Sequence, residues 1–409
     1  MTTVQQIAFF ILLFIELLVA AYFLIPFFML LVHQLWVSNS KKRRIDRLPV
    51  LTEKRHRFHL IITAHEETEF IPPLLDSIRR QTYAEHTTYL VMDCCDPALI
   101  FDDERTVTLH PPEPLNSKIR SIEYAISSFR EAPDAIIILD ADNLIHPNFM
   151  ATMNLYFQKG FQAVQADFRA KNADSDFAKM DAMGDLFNFF VEREMRMEIG
   201  VSSAIWGAGI AFAYPLYEGI RYKDALGGFD KMLQIHLATQ VKQIGFAREA
   251  ILYDEKISDG AALEKQRTRW ISSQFKYKQA NFRFLLTAIR NLDLKRIFFG
   301  FNNVRPPLYM LLGLAGVFFL FHLFYKPEFS LVWVIIIALF AISYILIVRV
   351  RAGRNYRFSR TLLQLPRFIF RQVLATLKIK QAKKSFMKTR HTKLVYITDL
   401  LKESPQPED

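Results

Sequence analysis

Asp140 and Asp142 stand one residue apart at the end of AIIILDAD, a run that opens with the five apolar residues Ala135 to Leu139. Two carboxylates so placed repel each other unless a cation lies between them and a ligand. A hard divalent ion, Mg2+ or Mn2+, resolves the repulsion, and such an ion on one or two carboxylates normally completes its shell with phosphate oxygens. The pair therefore points to metal-assisted chemistry on a diphosphate. The plainer alternative is that the two aspartates cap a helix beginning near Pro147. Other metal-binding residue types add little. His65 and His236 are isolated and read as ordinary surface or packed histidines, and the adjacent Cys94 and Cys95 have the spacing of neither a zinc site nor a disulfide framework.

Presenting two aspartates together requires a strand that ends at them. HLIITA (His59 to Ala64), TTYLVMD (Thr87 to Asp93) and AIIILD (Ala135 to Asp140) read as buried strands. Ile119, Ile122, Ile126 and Phe129 fall on one face of a helix expected to be capped by Asn116. The region 58–280 is thus predicted to be an α/β layer around a mainly parallel sheet. Ligands bind such sheets at the carboxyl ends of the strands, where both aspartates stand. There is no internal repeat, and 396–409, ending in ESPQPED, reads as a flexible tail.

The 409-residue chain is 51% hydrophobic and carries 37 Phe, which is apolar for a soluble protein. Val4 to Val37 is long enough to cross a bilayer with tilt or a bend near Pro26, giving one transmembrane helix over 1–40. A cleaved signal peptide fits this run poorly, because it is too long and lacks a basic leader. KKRR opens the basic linker 41–57, which places the N-terminus outside and the following domain in the cytoplasm. Glu16 lies inside the span and is assigned no role. After an interfacial linker, 281–306, the segments Pro307 to Phe324 and Phe329 to Val350 supply two more spans over 307–350. The expectation is a multi-pass plasma-membrane protein with its catalytic domain cytoplasmic. From Arg349 to Lys393 there are 14 Lys or Arg and no Asp or Glu, more than the net charge of +11. Beside two spans, this basic segment, 351–395, reads as an in-plane helix on membrane lipids, and no nucleic-acid partner is expected.

Between Ile61 and Trp270 the motifs ITAHEE, VMDCCD, NSK, DAD, LGGFDK and QRTRW follow one another. In this order, with spans on either side, they resemble the membrane-bound branch of the family 2 glycosyltransferases, which includes hyaluronan and cellulose synthases. The resemblance implies a GT-A, nucleotide-diphospho-sugar transferase domain, Rossmann-like, with transmembrane helices. It implies that Ala64 and Glu66, in the opening strand and loop, contact the nucleotide, that Asp93 bonds the base, and that Lys118 bonds a ribose or phosphate oxygen. Asp140 and Asp142 become the metal motif, and Asp230 the catalytic base. Gln266, Arg267, Arg269 and Trp270 become the signature that grips the diphosphate and carries the acceptor sugar. Plainer readings stand beside these: a strand-end cap for Asp93, a solvated helix lysine for Lys118, a core or interfacial aromatic for Trp270. WGAGIAF (Trp206 to Phe212) resembles the loop that floors the acceptor site, and a plain strand is the alternative.

Each role has a chemical reason. An inverting transfer needs a base to take the acceptor hydroxyl proton, and a carboxylate at a helix start suits that task. The leaving nucleoside diphosphate needs its charge neutralised, by the metal and by guanidinium groups. One departure stands out: Phe229 precedes Asp230 where relatives usually carry a second acid. A second register, counted back from Gly245, puts Gln234 at the base position, while Lys231 and Leu233 agree with Asp230. The expected function is transfer of a sugar from a nucleotide sugar, with uridine implied by the resemblance, to a saccharide or lipid-linked acceptor. A self-sufficient processive synthase and an inactive membrane scaffold are the alternatives. Three apolar spans offer a growing polysaccharide little polar lining, so an export partner or a homo-oligomer is expected.

Overall fold

Apolar residues on both faces of the strands draw helices onto each side of one sheet. The computed structural model describes residues 3–38, 40, 42–223, 225, 227–352, 361, 364–378 and 392–403. Among these the strands are β1 (Phe58–His65), β2 (His86–Asp93), β3 (Thr106–Leu109), β4 (Ala135–Asp140), β5 (Leu144–Ile145), β6 (Ala163–Ala170), β7 (Ile210–Ala213) and β8 (Gly245–Asp254), in spatial order β3-β2-β1-β4-β7-β6-β8-β5. The half β3-β2-β1-β4 is parallel throughout. β7 runs antiparallel to both β4 and β6, and β5 antiparallel to β8, so the sheet is mixed where a mainly parallel one was expected. Along β1, Leu60 and Ile62 enter one core with Leu90 and Ile137, and Ile61 enters the other with Val91 and Ile138. That two-sided burial accounts for the uninterrupted apolar runs read from the sequence.

The helices that set the site are α1 (Thr3–Val32), α2 (Lys118–Ser127), α3 (Asp176–Phe189), α4 (Phe229–Gln240), α5 (Gly260–Lys276), α6 (Leu308–Tyr325), α7 (Pro327–Ala352), α8 (Leu365–Leu377) and α9 (Ile397–Glu403). The cap of α2 is Ser117, whose hydroxyl accepts from the Arg120 N–H; Asn116, expected as the cap, instead takes a left-handed backbone at φ 48°. At the start of α4, Gly227 and Gly228 are both left-handed, and a Cβ on Gly228 would stand 2.6 Å from the Tyr277 ring. Glycine here lets the first turn of α4 lie directly against the end of α5.

Among the described residues, three helices are long and apolar enough to cross a membrane: α1 with its π-helical continuation to Val37, α6 and α7. They pack on one another through Phe23 and Phe340, whose rings are 5.2 Å apart, and through Glu16, which pairs with His322 at 2.9 Å. The last turn of α7 enters the sheet domain. There Arg351 binds Asp167 at 2.5 Å and Glu194 at 2.9 Å, and Arg248 binds the other oxygen of Glu194. The two buried pairs of Arg351 fix the sheet layer to the apolar helices, since removing one partner would strand a charge away from water.

The C-terminal region is described in part, and one expectation about it changes. The amphipathic stretch is seen as α8, which docks onto α5: Arg371 and Lys378 both bind Glu264, and the Thr268 hydroxyl donates to the Ala375 carbonyl. Its other side leaves Phe370 and Leu377 exposed. The remainder of that stretch, 353–360, 362–363 and 379–391, lies outside the described residues. The segment 396–409 is not flexible throughout, because Ile397 and Leu400 of α9 bury themselves against Leu144 and Tyr253 at the sheet edge. Residues 404–409 lie outside the described residues.

Candidate active site

The carboxyl ends of β1, β2 and β4 lie side by side in the parallel half of the sheet, and each delivers residues singled out from the sequence. Ala64, near the end of β1, is buried and pairs in register with Met92. Glu66 follows with φ 62°, its N–H bonded to the Asp93 carbonyl and its side chain largely exposed. Asp93 ends β2 and is buried. Its carboxylate accepts the backbone N–H groups of Leu115 and Asn116, both at 2.8 Å, and lies 2.9 Å from Nδ1 of His65. Those bonds hold one face of the carboxylate fixed at the strand end.

Asp140 ends β4, and the turn after it is locked on both sides. The Asn143 side chain accepts the Asp140 N–H, and the Asn143 N–H donates to the Asp140 carbonyl. Asp142 sits in that turn, mostly buried, with its carbonyl accepting from the buried Lys171 ammonium. Lys118, at the first position of α2, binds the Asp140 carboxylate, donates to the Gly207 carbonyl at 2.6 Å and lies 5.2 Å from the centre of the Phe229 ring. One cation thereby ties together β4, the Trp206–Gly209 loop and the start of α4. The contact also gives Phe229 a partner: its ring faces an ammonium group.

Asp230 lies in the first turn of α4, its carboxylate one-fifth exposed and paired with Lys231 at 2.9 Å. Gln234, the residue of the other register, is buried, and its side-chain oxygen accepts the Ile205 N–H at 2.7 Å. It holds the chain leading into Trp206 and faces away from solvent.

QRTRW lies on α5. At 3.6 residues per turn Gln266, Arg269 and Trp270 share one side, and Arg267 projects from another. Arg269 meets the strand ends: burial lowers its pKa, and the charges of Asp140, Asp230 and Asp142 oppose that shift. Arg269 thus lies in the field of all three carboxylates. Arg267 binds Asp181 of α3 and stacks on Trp270, its guanidinium carbon 4.5 Å from the ring centre. Trp270 is about one-third exposed, with its ring 6.2 Å from that of Trp206. The side-chain oxygen of Gln266 is buried without a hydrogen-bond partner among the described residues.

Several neighbours escaped sequence reasoning. His65, within ITAHEE, reads as an ordinary histidine in the sequence and gains a partner in Asp93 only because β1 and β2 are adjacent. Lys171 and Lys256 follow β6 and β8 and look like surface lysines in the sequence. In the fold, the Lys256 ammonium binds Asp185 and Asp254 and lies 5.9 Å from the centre of the Trp206 ring. Trp206 itself stood only in a possible floor loop, and its pairing with Trp270, 64 residues later, is seen only in the fold.

Oxygen donors from two carboxylates on a turn at a strand end, with cations around them, are a donor set for a hard divalent ion. No curated protein matches the chain. Among solved structures, a mannosyltransferase from Pyrobaculum calidifontis, PcManGT in complex with GDP-Man and Mn2+, is 16% identical at a TM-score of 0.53, covering 90% of this chain and 98% of that one. TarS from S. aureus in complex with UDP-GlcNAc is 12% identical at a TM-score of 0.38, covering 61% of this chain and 90% of that one. The first likeness establishes the GT-A fold. A family model for glycosyltransferase-like family 2 matches residues 56–273, more than half of the chain, so the protein belongs to that family of glycosyltransferases.

Proposed function

We propose that this glycosyltransferase is membrane-anchored and inverting, and that it moves a sugar from a nucleotide sugar, a uridine diphosphate sugar by resemblance, to a saccharide or lipid-linked acceptor at the cytoplasmic face. The observation that carries the reading is the pair Asp140 and Asp142 at the end of β4, tied through the Lys118 ammonium to the Gly207 carbonyl and to Phe229 at the start of α4, where Asp230 lies in the first turn. This supports a diphosphate grip beside a base.

Mg2+ or Mn2+ would be held by Asp142 with Asp140, and when bound it supplies positive charge to the diphosphate oxygens. Arg269 neutralises the charge that builds on the leaving nucleoside diphosphate. Asp230 takes the acceptor hydroxyl proton as the sugar carbon opens to attack, and Lys231, 2.9 Å away, holds that carboxylate in orientation. Trp270, with Trp206 behind it, gives the acceptor sugar an apolar platform. Asp93 offers its carboxylate to an N–H of the base, beside Ala64 and Glu66. Lys118 acts by holding Asp140 and the Gly207 loop, with its ammonium close to where a ribose or phosphate oxygen would lie.

Arg267 acts by holding Trp270 in place. Gln266 points a polar group toward the same side as Arg269 and suits a contact to the acceptor or the diphosphate.

Three apolar helices would anchor the domain, and the exposed apolar side of α8 would rest among membrane lipids. Within α1, α6 and α7, Glu16 pairs with His322 and the Ser343 hydroxyl donates to its own helix, so little polar lining remains for a polysaccharide. The protein therefore starts or extends a glycan and leaves export to a partner or to a homo-oligomer. The test is a panel of uridine and guanosine diphosphate sugars on purified protein, scored by nucleoside diphosphate release with and without Mn2+. Release that needs both one donor sugar and the metal supports the reading, and no release from any donor opposes it.

A further inference from the structure

We propose that His65, Asp93 and Cys94 form a second cation site, built for a soft divalent ion of the Zn2+ type, and that its occupancy excludes the nucleobase. The exclusion rests on the placement of Asp93 in the nucleotide pocket; the site itself does not.

The ligand atoms of the three residues all lie within 4.8 Å of one another. Zinc binds imidazole nitrogen and carboxylate oxygen at about 2.0–2.2 Å and thiolate sulfur at about 2.3 Å, which puts neighbouring ligand atoms of a tetrahedral site roughly 3.3–3.8 Å apart. Cys94 Sγ is already 3.6 Å from one Asp93 oxygen, and His65 Nδ1 is 2.9 Å from the other. These two contacts are to different oxygens of Asp93, so admitting an ion needs the His65 and Cys94 side chains to adjust around the fixed carboxylate. Two backbone N–H groups hold the Asp93 carboxylate in place, so the anchor ligand is fixed before any ion arrives. Cys94 adopts φ 56°, a conformation uncommon for a residue with a side chain, and from it the thiol lies beside the carboxylate of the preceding residue.

The donor set sorts the ions. Asp140 and Asp142 offer oxygen alone and suit Mg2+ or Mn2+, whereas imidazole with thiolate selects a softer metal. Cys94 is exposed, which gives the ion a way in and leaves one coordination position to water. Capture replaces the S–H bond by an S–metal bond, and the proton leaves to solvent. Cys95 is not part of the set, since its sulfur lies against the Asp93 carbonyl at 3.4 Å. An ion on Asp93 engages the same carboxylate that would accept the base N–H, so metal and nucleotide compete.

The experiment uses full-length protein in detergent with a non-thiol reductant and saturating Mn2+ to occupy the aspartate pair. Co2+, a coloured stand-in for Zn2+, is titrated in and its cobalt–thiolate absorption followed. The expected result is a band that saturates at one ion per chain, is lost in Cys94→Ser and is weakened about tenfold or more in His65→Ala. It persists in Cys95→Ser and in Asp142→Ala, and saturating nucleoside diphosphate abolishes it. Absence of the band, or its survival in Cys94→Ser or at saturating nucleotide, overturns the proposal. Nucleotide binding measured separately keeps the two readings apart: protein that binds nucleotide but gives no band counts against this site alone, and protein that gives the band but binds no nucleotide counts against the exclusion and the donor assignment.

Discussion

Arg267 and Arg269 are two residues apart on one helix and serve different sides of it. Arg267 closes on Asp181 and stacks on Trp270, whereas Arg269 lies in the field of Asp140, Asp142 and Asp230. Arg269→Met is therefore expected to lower kcat by about 10²–10³ while leaving the melting temperature near that of the wild type. Arg267→Met strands the buried Asp181 carboxylate, costs about 3–5 kcal/mol of stability and is partly rescued by adding Asp181→Asn. Thermal melts and steady-state kinetics on the three variants check this. The converse pattern, with Arg267 affecting only kcat, contradicts the division of roles.

Asp230 and Gln234 separate the two registers. Asp230→Asn should stop transfer with nucleotide-sugar binding nearly intact, since a base acts on the acceptor. Gln234→Ala should leave the Ile205 N–H unpaired, cost about 1–3 kcal/mol and keep turnover measurable below its lowered melting temperature. An inactive, well-folded Gln234→Ala beside a normal Asp230→Asn would show that the register through Asp230 is wrong.

His59 gives the fold a pH dependence. Its ring is fully buried against Tyr89 and Phe129, and burial, aided by Arg57, lowers its pKa from 6.5 to about 4. A base with a depressed folded pKa binds more protons when unfolded, so its contribution is complete above pH 6.5 and is lost as pH falls toward 4. The loss amounts to about 3 kcal/mol. Thermal melts between pH 7 and 4.5 should show the decline, with a shallower slope in His59→Phe. An unchanged slope in that variant would assign the effect elsewhere.

How far the sequence revealed the site depended on how local each signal was. β1, β2 and β4 were legible because each is an apolar run with a carboxylate or loop motif at its end, and their register then placed Asp93 and Asp140 together without further assumption. β7 was hidden: its four residues sit in WGAGIAF, and nothing local says that they run antiparallel to β4. QRTRW was readable as a motif, but the partner of Arg267 comes from α3, some 86 residues earlier, and only packing reveals it. His65 looked isolated because its partner lies on another strand. The tail looked disordered because ESPQPED dominates its composition, although ITDLL just before it carries the apolar residues that dock at the sheet edge.

The orientation of the anchors is open to a direct check. Reporters fused before Met1 and after Asp409 are expected on opposite sides of the membrane, the first outside and the second cytoplasmic, because the basic residues follow the first span and the last. Reporters on the same side would require an even number of crossings.

The central claim is that the aspartates at the end of β4 hold the divalent ion that makes a nucleoside diphosphate leave. It is tested most directly by nucleoside diphosphate release from the preferred donor sugar, compared between wild type and Asp142→Ala across a titration of Mn2+ and in excess chelator. The account predicts release in the wild type that rises with Mn2+ and vanishes in chelator, and none above background in Asp142→Ala at any Mn2+ concentration. Full release by Asp142→Ala, or by the wild type in chelator, would contradict it.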